Sequence, residues 1–302
     1  MKKQLLIAAV AASMSSVAMA DISIAGSAKA NVNQGVASIE ADLSITGKSG
    51  ATSVVANISL DSGMNAGTSA TNTFTATDTA DTATGSATDA IVEDLYLTSS
   101  YQGVNIKVGE YRSGKSELDV TSAVATQRYN LSTTMGGVTV AFEETDGASD
   151  ITIGGTIAGV SVKHKMKSNA SNDTETWVSG SMSGVNMTWN QEDNSNNKDT
   201  FMSISTDLSG VTATYAKIDS DATTVADGFF TGSAITKATG FSVATSVAGN
   251  KLTLKTMDVD SVKTNKVIVN RVLASGATFE ATYVDNAGTA KDTLDLELAV
   301  KF

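Results

Sequence analysis

The sequence has 302 residues and a formal charge of −11, with 32 acidic against 21 basic side chains and a single histidine. It contains no cysteine and no proline, which excludes a disulfide framework and thiolate–metal chemistry and removes the residue least compatible with a continuous sheet. An acidic chain without basic runs is also a poor partner for nucleic acid.

Residues 1–20 read as an export signal. Met1-Lys2-Lys3 is a charged start, Leu5 to Ala12 a short apolar run, and Ala18-Met19-Ala20 an A-x-A cleavage site. Removing them takes Lys2 and Lys3 and brings the formal charge to −13. No other stretch approaches the roughly 18 consecutive apolar residues of a spanning helix, so any membrane passage must use strands.

From Asp21 onward the chain alternates in twos, the strand period. Ile39, Ala41, Leu43 and Ile45 oppose Ser38, Glu40, Asp42 and Ser44, and Val54, Ala56, Ile58 and Leu60 follow with the same rhythm. Residues 62–89 form a low-complexity Thr/Ala/Ser/Gly/Asp stretch with the composition of a surface loop. Val138, Val140 and Phe142 oppose Thr139, Ala141 and Glu143, and Ala277, Phe279, Ala281 and Tyr283 oppose Thr278, Glu280 and Thr282. In the last segment Leu294, Leu296, Leu298, Val300 and Phe302 share one side, with Asp295, Glu297 and Lys301 on the other. Alternation alone fits either a sandwich with its apolar face inward or a barrel in lipid with its apolar face outward.

Punctuation favours the barrel. Tight glycine turns fall near Gly50, Gly103, Gly136-Gly137, Gly159, Gly184, Gly210, Gly249 and Gly276. Between them lie longer polar loops: residues 62–89, 110–126, 146–150, 168–173, 192–199, 219–233, 258–265 and 285–292. Short turns on one side and long loops on the other is the layout of outer-membrane barrels. The count gives an all-β transmembrane antiparallel β-barrel of 16–18 strands over residues 21–302, with 151–157 and 229–245 the weakest strands.

The chain resembles the Gram-negative general porins, the trimeric diffusion channels of bacterial outer membranes. The resemblance is carried by Asp21-Ile22-Ser23-Ile24-Ala25-Gly26-Ser27-Ala28, by Val104–Gly114, and by Leu298-Ala299-Val300-Lys301-Phe302. It implies an assembly signal at Leu298, Val300 and Phe302, read by the barrel assembly machinery, a homotrimer, and a third loop folded into the lumen. That constriction loop would hold Glu110, Arg112, Lys115, Glu117 and Asp119. Facing walls of opposite charge would filter solutes. The basic wall is Lys107, Arg128, Lys163, Lys165 and Lys167, which otherwise read as ordinary solvated charges. The acidic wall is Glu40, Asp42, Asp94, Glu280, Asp295 and Glu297.

The expected function is a water-filled outer-membrane pore for small hydrophilic solutes and ions, mildly cation-selective because of the net charge. A substrate-selective channel and an exported Ser/Thr-rich surface adhesin are the alternatives. Enzymatic activity is not expected, since His164 falls on an apolar face and no G-x-S-x-G elbow accompanies it. No cofactor or metal is expected. The Asp219/Asp221 and Asp258/Asp260 pairs suit contact with lipopolysaccharide, alongside outer-membrane lipid, but lack calcium-loop spacing. Trp177, Trp189, Tyr111, Tyr129 and Tyr215 are candidates for an interfacial aromatic girdle.

Overall fold

The computed structural model describes residues 21–33, 36–64, 89–112, 118, 125–145, 148–168, 173–194, 197–286 and 291–302. The expected leader, residues 1–20, lies outside them. So do most of the 62–89 stretch and Lys115, Glu117 and Asp119.

Eighteen antiparallel strands follow in chain order: β1 (Asp21–Asn33), β2 (Val36–Ser49), β3 (Thr52–Met64), β4 (Asp89–Tyr101), β5 (Val104–Tyr111), β6 (Thr126–Met135), β7 (Val138–Thr145), β8 (Ala148–Ile157) and β9 (Val160–Ser168). They continue as β10 (Thr174–Met182), β11 (Val185–Asn194), β12 (Asn197–Leu208), β13 (Val211–Asp227), β14 (Thr231–Val247), β15 (Asn250–Val259), β16 (Val262–Val272), β17 (Thr278–Asn286) and β18 (Thr293–Lys301). Each pairs with its sequence neighbours, and β1 pairs with β18. The result is a closed up-and-down barrel. The upper expected strand number holds, and residues 151–157 and 229–245, the weakest by pattern, fall largely within β8 and β14.

The seam has its own geometry. Gly26 and Phe302 exchange two backbone hydrogen bonds, of 2.8 and 3.0 Å, which extend the β1–β18 ladder by one residue pair. A Cβ at Gly26 would stand 2.7 Å from the Phe302 ring and 2.8 Å from the Asp42 carbonyl. Glycine is therefore what lets the ring lie flat against the outer wall.

All eight tight glycine turns sit on one side of the barrel. In six of them both central residues have positive φ, 49–59° at Gln102, Gly136, Ala158, Ser183, Ser209 and Ala248, and 78–86° at the glycine that follows. These are the mirror-image turns whose twist matches the flanking strands. On the other side, loop lengths are less uniform than expected. Residues 258–265, expected as a loop, are mostly strand joined by the two-residue turn Asp260-Ser261. Only two residues separate β7 from β8 and β11 from β12, where longer loops were expected. Residues 219–233 belong mainly to the extended hairpin of β13 and β14. Hydrogen bonding takes up backbone that polar composition alone suggested was loop.

The two faces of the wall differ as lipid requires. Leu208, Met187, Val247, Leu254, Ile22, Ile24, Val104, Val138 and Phe302 are 38–66 % exposed on the convex side. Phe201, Ala216, Ile218, Asn190 and Glu175 are buried on the concave side. A greasy exterior and a backbone with every strand paired are the conditions for residence in a bilayer, and this barrel meets both. Tyr129, Tyr215 and Trp189 lie on the outer face, as a girdle requires, whereas Trp177 and Tyr111 face inward. His164 is on the outer face, where its Nδ1 is 2.9 Å from Thr176 Oγ1.

Replacing Gly26 with valine is expected to unseat Phe302 at a cost of about 1–3 kcal/mol, the usual penalty of overpacking. The check is heat-modifiability on detergent gels of the outer-membrane fraction, with less of the fast-migrating folded band expected. An unchanged folded fraction would show that the ring is not needed for closure.

Candidate functional site in the lumen

The wall around the lumen is shaped first by a bulge. In the β3–β4 pairing Asn57 opposes Asp94 and Ile58 opposes Val92, so Glu93 is an extra residue. Strict alternation would send Glu93 and Asp94 to opposite faces; the bulge brings both carboxylates to Arg112. Arg112 Nη2 lies 2.7 Å from Glu93 and 3.3 Å from Asp94, and the Arg112 amide donates to Asp94 at 2.8 Å. Asn57 adds a fourth bond, to Asp94 at 3.0 Å. The segment leaving β5 is thus pinned to the wall as it starts.

Its second anchor is apolar. Leu118 is 3 % exposed and belongs to a cluster with Phe201, Ala216, Ile218, Phe230, Ile235, Ala238 and Met257. These wall residues lie on β12–β15, and β13 is eight strands from β5 in a ring of 18. Leu118 is six steps along the chain from Arg112, so the anchors are within roughly 20 Å of each other. Leu118 thus rests on the inner wall far round the ring from the end of β5. Glu110, expected in the third loop, is instead a β5 residue on the outward face with Val108.

The β13–β14 hairpin comes to the inner wall as well. Its register is regular as far as Asp219 opposite Lys237, then shifts to Thr224 opposite Ile235. A Cβ at Gly240 would meet the Phe229 ring at 2.5 Å and the Phe230 ring at 3.2 Å. Ten residues of straight strand would hold Phe230 about 33 Å from Gly240. The contact requires the hairpin to fold back onto the inner wall. There the Phe229 and Phe230 rings pack edge to face with centroids 5.0 Å apart, and Lys255 donates to the Phe229 carbonyl while its Nζ sits 4.1 Å from the Phe229 ring centroid. Two inserted segments and the wall share one apolar cluster.

Charge is distributed unevenly around the ring. On β5–β11 the expected basic wall is present but largely neutralised. Arg128 pairs with Glu143 at 2.9 Å, Lys165 with Asp150 at 2.7 Å, and Lys167 with Glu175 at 3.1 Å and Glu192 at 2.9 Å. Lys107 lies between the Tyr96 and Tyr111 rings at 3.9 and 3.7 Å, and Lys163 stands 3.6 Å over Trp177. Both are cation–π contacts. Around the ring, on β17, β18, β1 and β2, Glu280, Asp295, Glu297, Glu40 and Asp42 line the lumen, and Lys29 to Glu40 at 2.8 Å is their ion pair among the described residues. Asp94 is not part of this sector; it belongs to the Arg112 clasp. The two sectors face each other across the barrel.

Several wall residues escaped sequence reading. Glu143 was on the polar side of its strand, and Asp150, Glu175 and Glu192 could have been found by extending strict alternation into the presumed loops. Glu93 had no such signal, because only a bulge turns it inward. Leu118 and the Phe229-Phe230 pair carried a faint one: large apolar residues inside otherwise polar connections.

With this geometry in view, comparison with solved structures finds the same architecture. Pseudomonas aeruginosa OpdK, in a crystal structure with vanillate, matches over 93 % of this chain and 98 % of its own with a TM-score of 0.68 at 8 % identity. Pseudomonas aeruginosa OccK9 (OpdG) gives 0.65 at 10 % identity, and Acinetobacter baumannii OccAB2 gives 0.63 at 9 %, with the same coverage of both chains. No family model matches the sequence, and no curated relative matches it either. The shared property is the outer-membrane channel fold. These structures are of the Occ/Opd kind, so the resemblance to the general trimeric porins is corrected to the coarser level of an outer-membrane channel barrel.

Leu118→Asp places an unpaired carboxylate in the apolar cluster, a burial that costs several kcal/mol, and should free the third-loop anchor. Single-channel conductance in planar bilayers is expected to rise, and Gly240→Val, which displaces the two phenylalanines, should act in the same direction. Unchanged conductance in both would show that the inserted segments do not limit ion flow.

Proposed function

We propose that the protein is a passive, water-filled channel for small hydrophilic solutes and ions, with a mild preference for cations. The supporting observation is the sector of β17–β2: among the described residues its inward face carries Asp21, Glu40, Asp42, Glu280, Asp295 and Glu297 against Lys29, Lys48 and Lys301, whereas on the opposite sector Arg128, Lys165 and Lys167 pair with four carboxylates and Lys107 and Lys163 stand over aromatic rings. A wall of excess negative charge raises the local concentration of cations, and in a wide wet lumen such a field biases flux without blocking it. A homotrimer and recognition by the assembly machinery are part of this proposal; the small outward residues Ala28 and Ala30 of β1 are compatible with close packing.

A substrate-selective channel is the second reading. It is favoured by the two inserted segments and by a recess of about 340 Å³ in the β4–β6 wall, bordered by Thr98, Ser100, Asn105, Lys107, Asn130 and Ser132. OpdK's crystal structure with vanillate adds fold-level support for small organic solutes.

Glu280→Gln combined with Glu297→Gln should move the reversal potential in a salt gradient toward non-selectivity, whereas Glu143→Gln, at the opposite wall, should free Arg128 and lower cation preference by another route. Anion preference in the unmodified protein would refute the first reading. A saturable block of current by a small organic solute, relieved by Lys107→Ala, would favour the second.

A further inference from the structure

The recess in the β4–β6 wall is a small grid of like chemistry. Ser100 opposes Asn105, and Asn105 opposes Ser132. One inward step further from the glycine turns, Thr98 opposes Lys107 and Lys107 opposes Asn130. The grid borders about 340 Å³, at the small end of ligand pockets, and no carboxylate lines it. Among the described residues Thr98, Ser100, Asn105 and Ser132 make no hydrogen bond to another side chain. Asn130 makes one, donated by its amide to Glu143 at 3.4 Å. Ala51, in the turn between β2 and β3, also borders the recess, which places it at the glycine-turn end of the lumen.

The one charged member of the grid is turned away from it. Next after Lys107 on the inward face of β5 is Gly109, opposite Tyr96 and with a φ of 148°. A Cβ there would collide with the Leu95 carbonyl and stand 2.5 Å from the Tyr96 Cα, so only glycine fits. Lys107 extends over this vacant position, and its ammonium ends between the Tyr96 and Tyr111 rings, 3.9 and 3.7 Å from their centroids. The recess keeps the apolar stem of Lys107 while the rings hold its charge. Glu143, the nearest carboxylate on β7, is engaged by Arg128 at 2.9 Å and by Tyr111 at 3.3 Å. A solute here meets hydroxyls and amides that both donate and accept, and no unengaged charge.

We infer that this recess binds one neutral polyhydroxylated solute, a sugar or a polyol, with Asn105 and Asn130 reaching adjacent hydroxyls and Thr98, Ser100 and Ser132 completing the contacts. An anionic solute would need the ammonium that the tyrosines already hold. A cationic one would need a carboxylate that the recess lacks. The inference rests on the substrate-selective reading of the channel and names its solute class. Water competes for every one of these groups, so the affinity is weak, on the order of millimolar, which lets the solute leave again.

The test uses three solutes built on one sugar ring: glucose, glucuronate and glucosamine, titrated on single channels of the full barrel in planar bilayers. Glucose is expected to reduce the current saturably, with a lower apparent Kd than either charged relative. Asn105→Ala combined with Ser132→Ala should raise the glucose Kd about tenfold. Lys107→Met, which keeps the stem and drops the charge, should leave it within about twofold. Heat-modifiability and the conductance without solute identify each variant as a folded, open barrel, so loss of the site is read apart from loss of the channel. Block by glucuronate alone, abolished in Lys107→Met, would overturn the inference and leave the substrate-selective reading standing, as would block by glucosamine alone. An unchanged glucose Kd in the Asn105/Ser132 double variant would also overturn it. Absence of saturation with all three solutes would overturn the inference and count against that reading as well.

Discussion

A sheet in hydrocarbon cannot leave a row of backbone donors and acceptors unpaired, since no water reaches them there. Everything else about this protein follows from meeting that condition by closing the sheet. β1 and β18 lie at opposite ends of the strand series, and their pairing is the non-local step that turns a meander into a barrel. Gly26 and Phe302 complete it, with the missing side chain of one making room for the ring of the other. Once the ring is closed, each strand must show one face to lipid and the other to the lumen. Alternation then ceases to be a statistical feature and becomes a division between two solvents.

Closure creates a space too wide to be filled by wall side chains, and the chain fills part of it with its own connections. The inserted segments are held by different forces. At the Arg112 end the hold is ionic, between a guanidinium and two carboxylates that a bulge places side by side. At the Leu118 end it is apolar, in a cluster that also receives the tip of the β13–β14 hairpin. A hydrophobic cluster on the inner wall is an exception to the otherwise polar lumen face, and it occurs where Leu118 and the β13–β14 tip come to rest on the wall. The β13–β14 register shifts just after Asp219, on the approach to the tip that supplies Phe230 to the cluster.

The charges inside obey proximity more than composition. Lys163, Lys165 and Lys167 look like a run of repelling cations along one strand. Across the ladder they meet Trp177, Asp150 and the Glu175/Glu192 pair, so self-repulsion is replaced by cross-strand attraction. The acidic sector keeps its excess because its neighbours on β17–β2 are mostly Ser, Thr and Asn. Strand adjacency decides which of these charges are neutralised.

Strand number, turn positions, the outward and inward faces and the sector memberships of Glu280, Glu297, Glu40 and Asp42 were legible in the sequence, because a period of two and the glycine turns are local properties of the backbone. Glu110 and residues 258–265 read as loop by composition yet stand in β5, β15 and β16, because polar composition does not distinguish a loop from the end of a strand. The bulge at Glu93, the inward fold that brings Phe230 to Gly240, and the pairing of each lysine were decided by tertiary structure alone. Register shifts and contacts between distant strands depend on which backbones lie side by side after closure, and no local pattern encodes that.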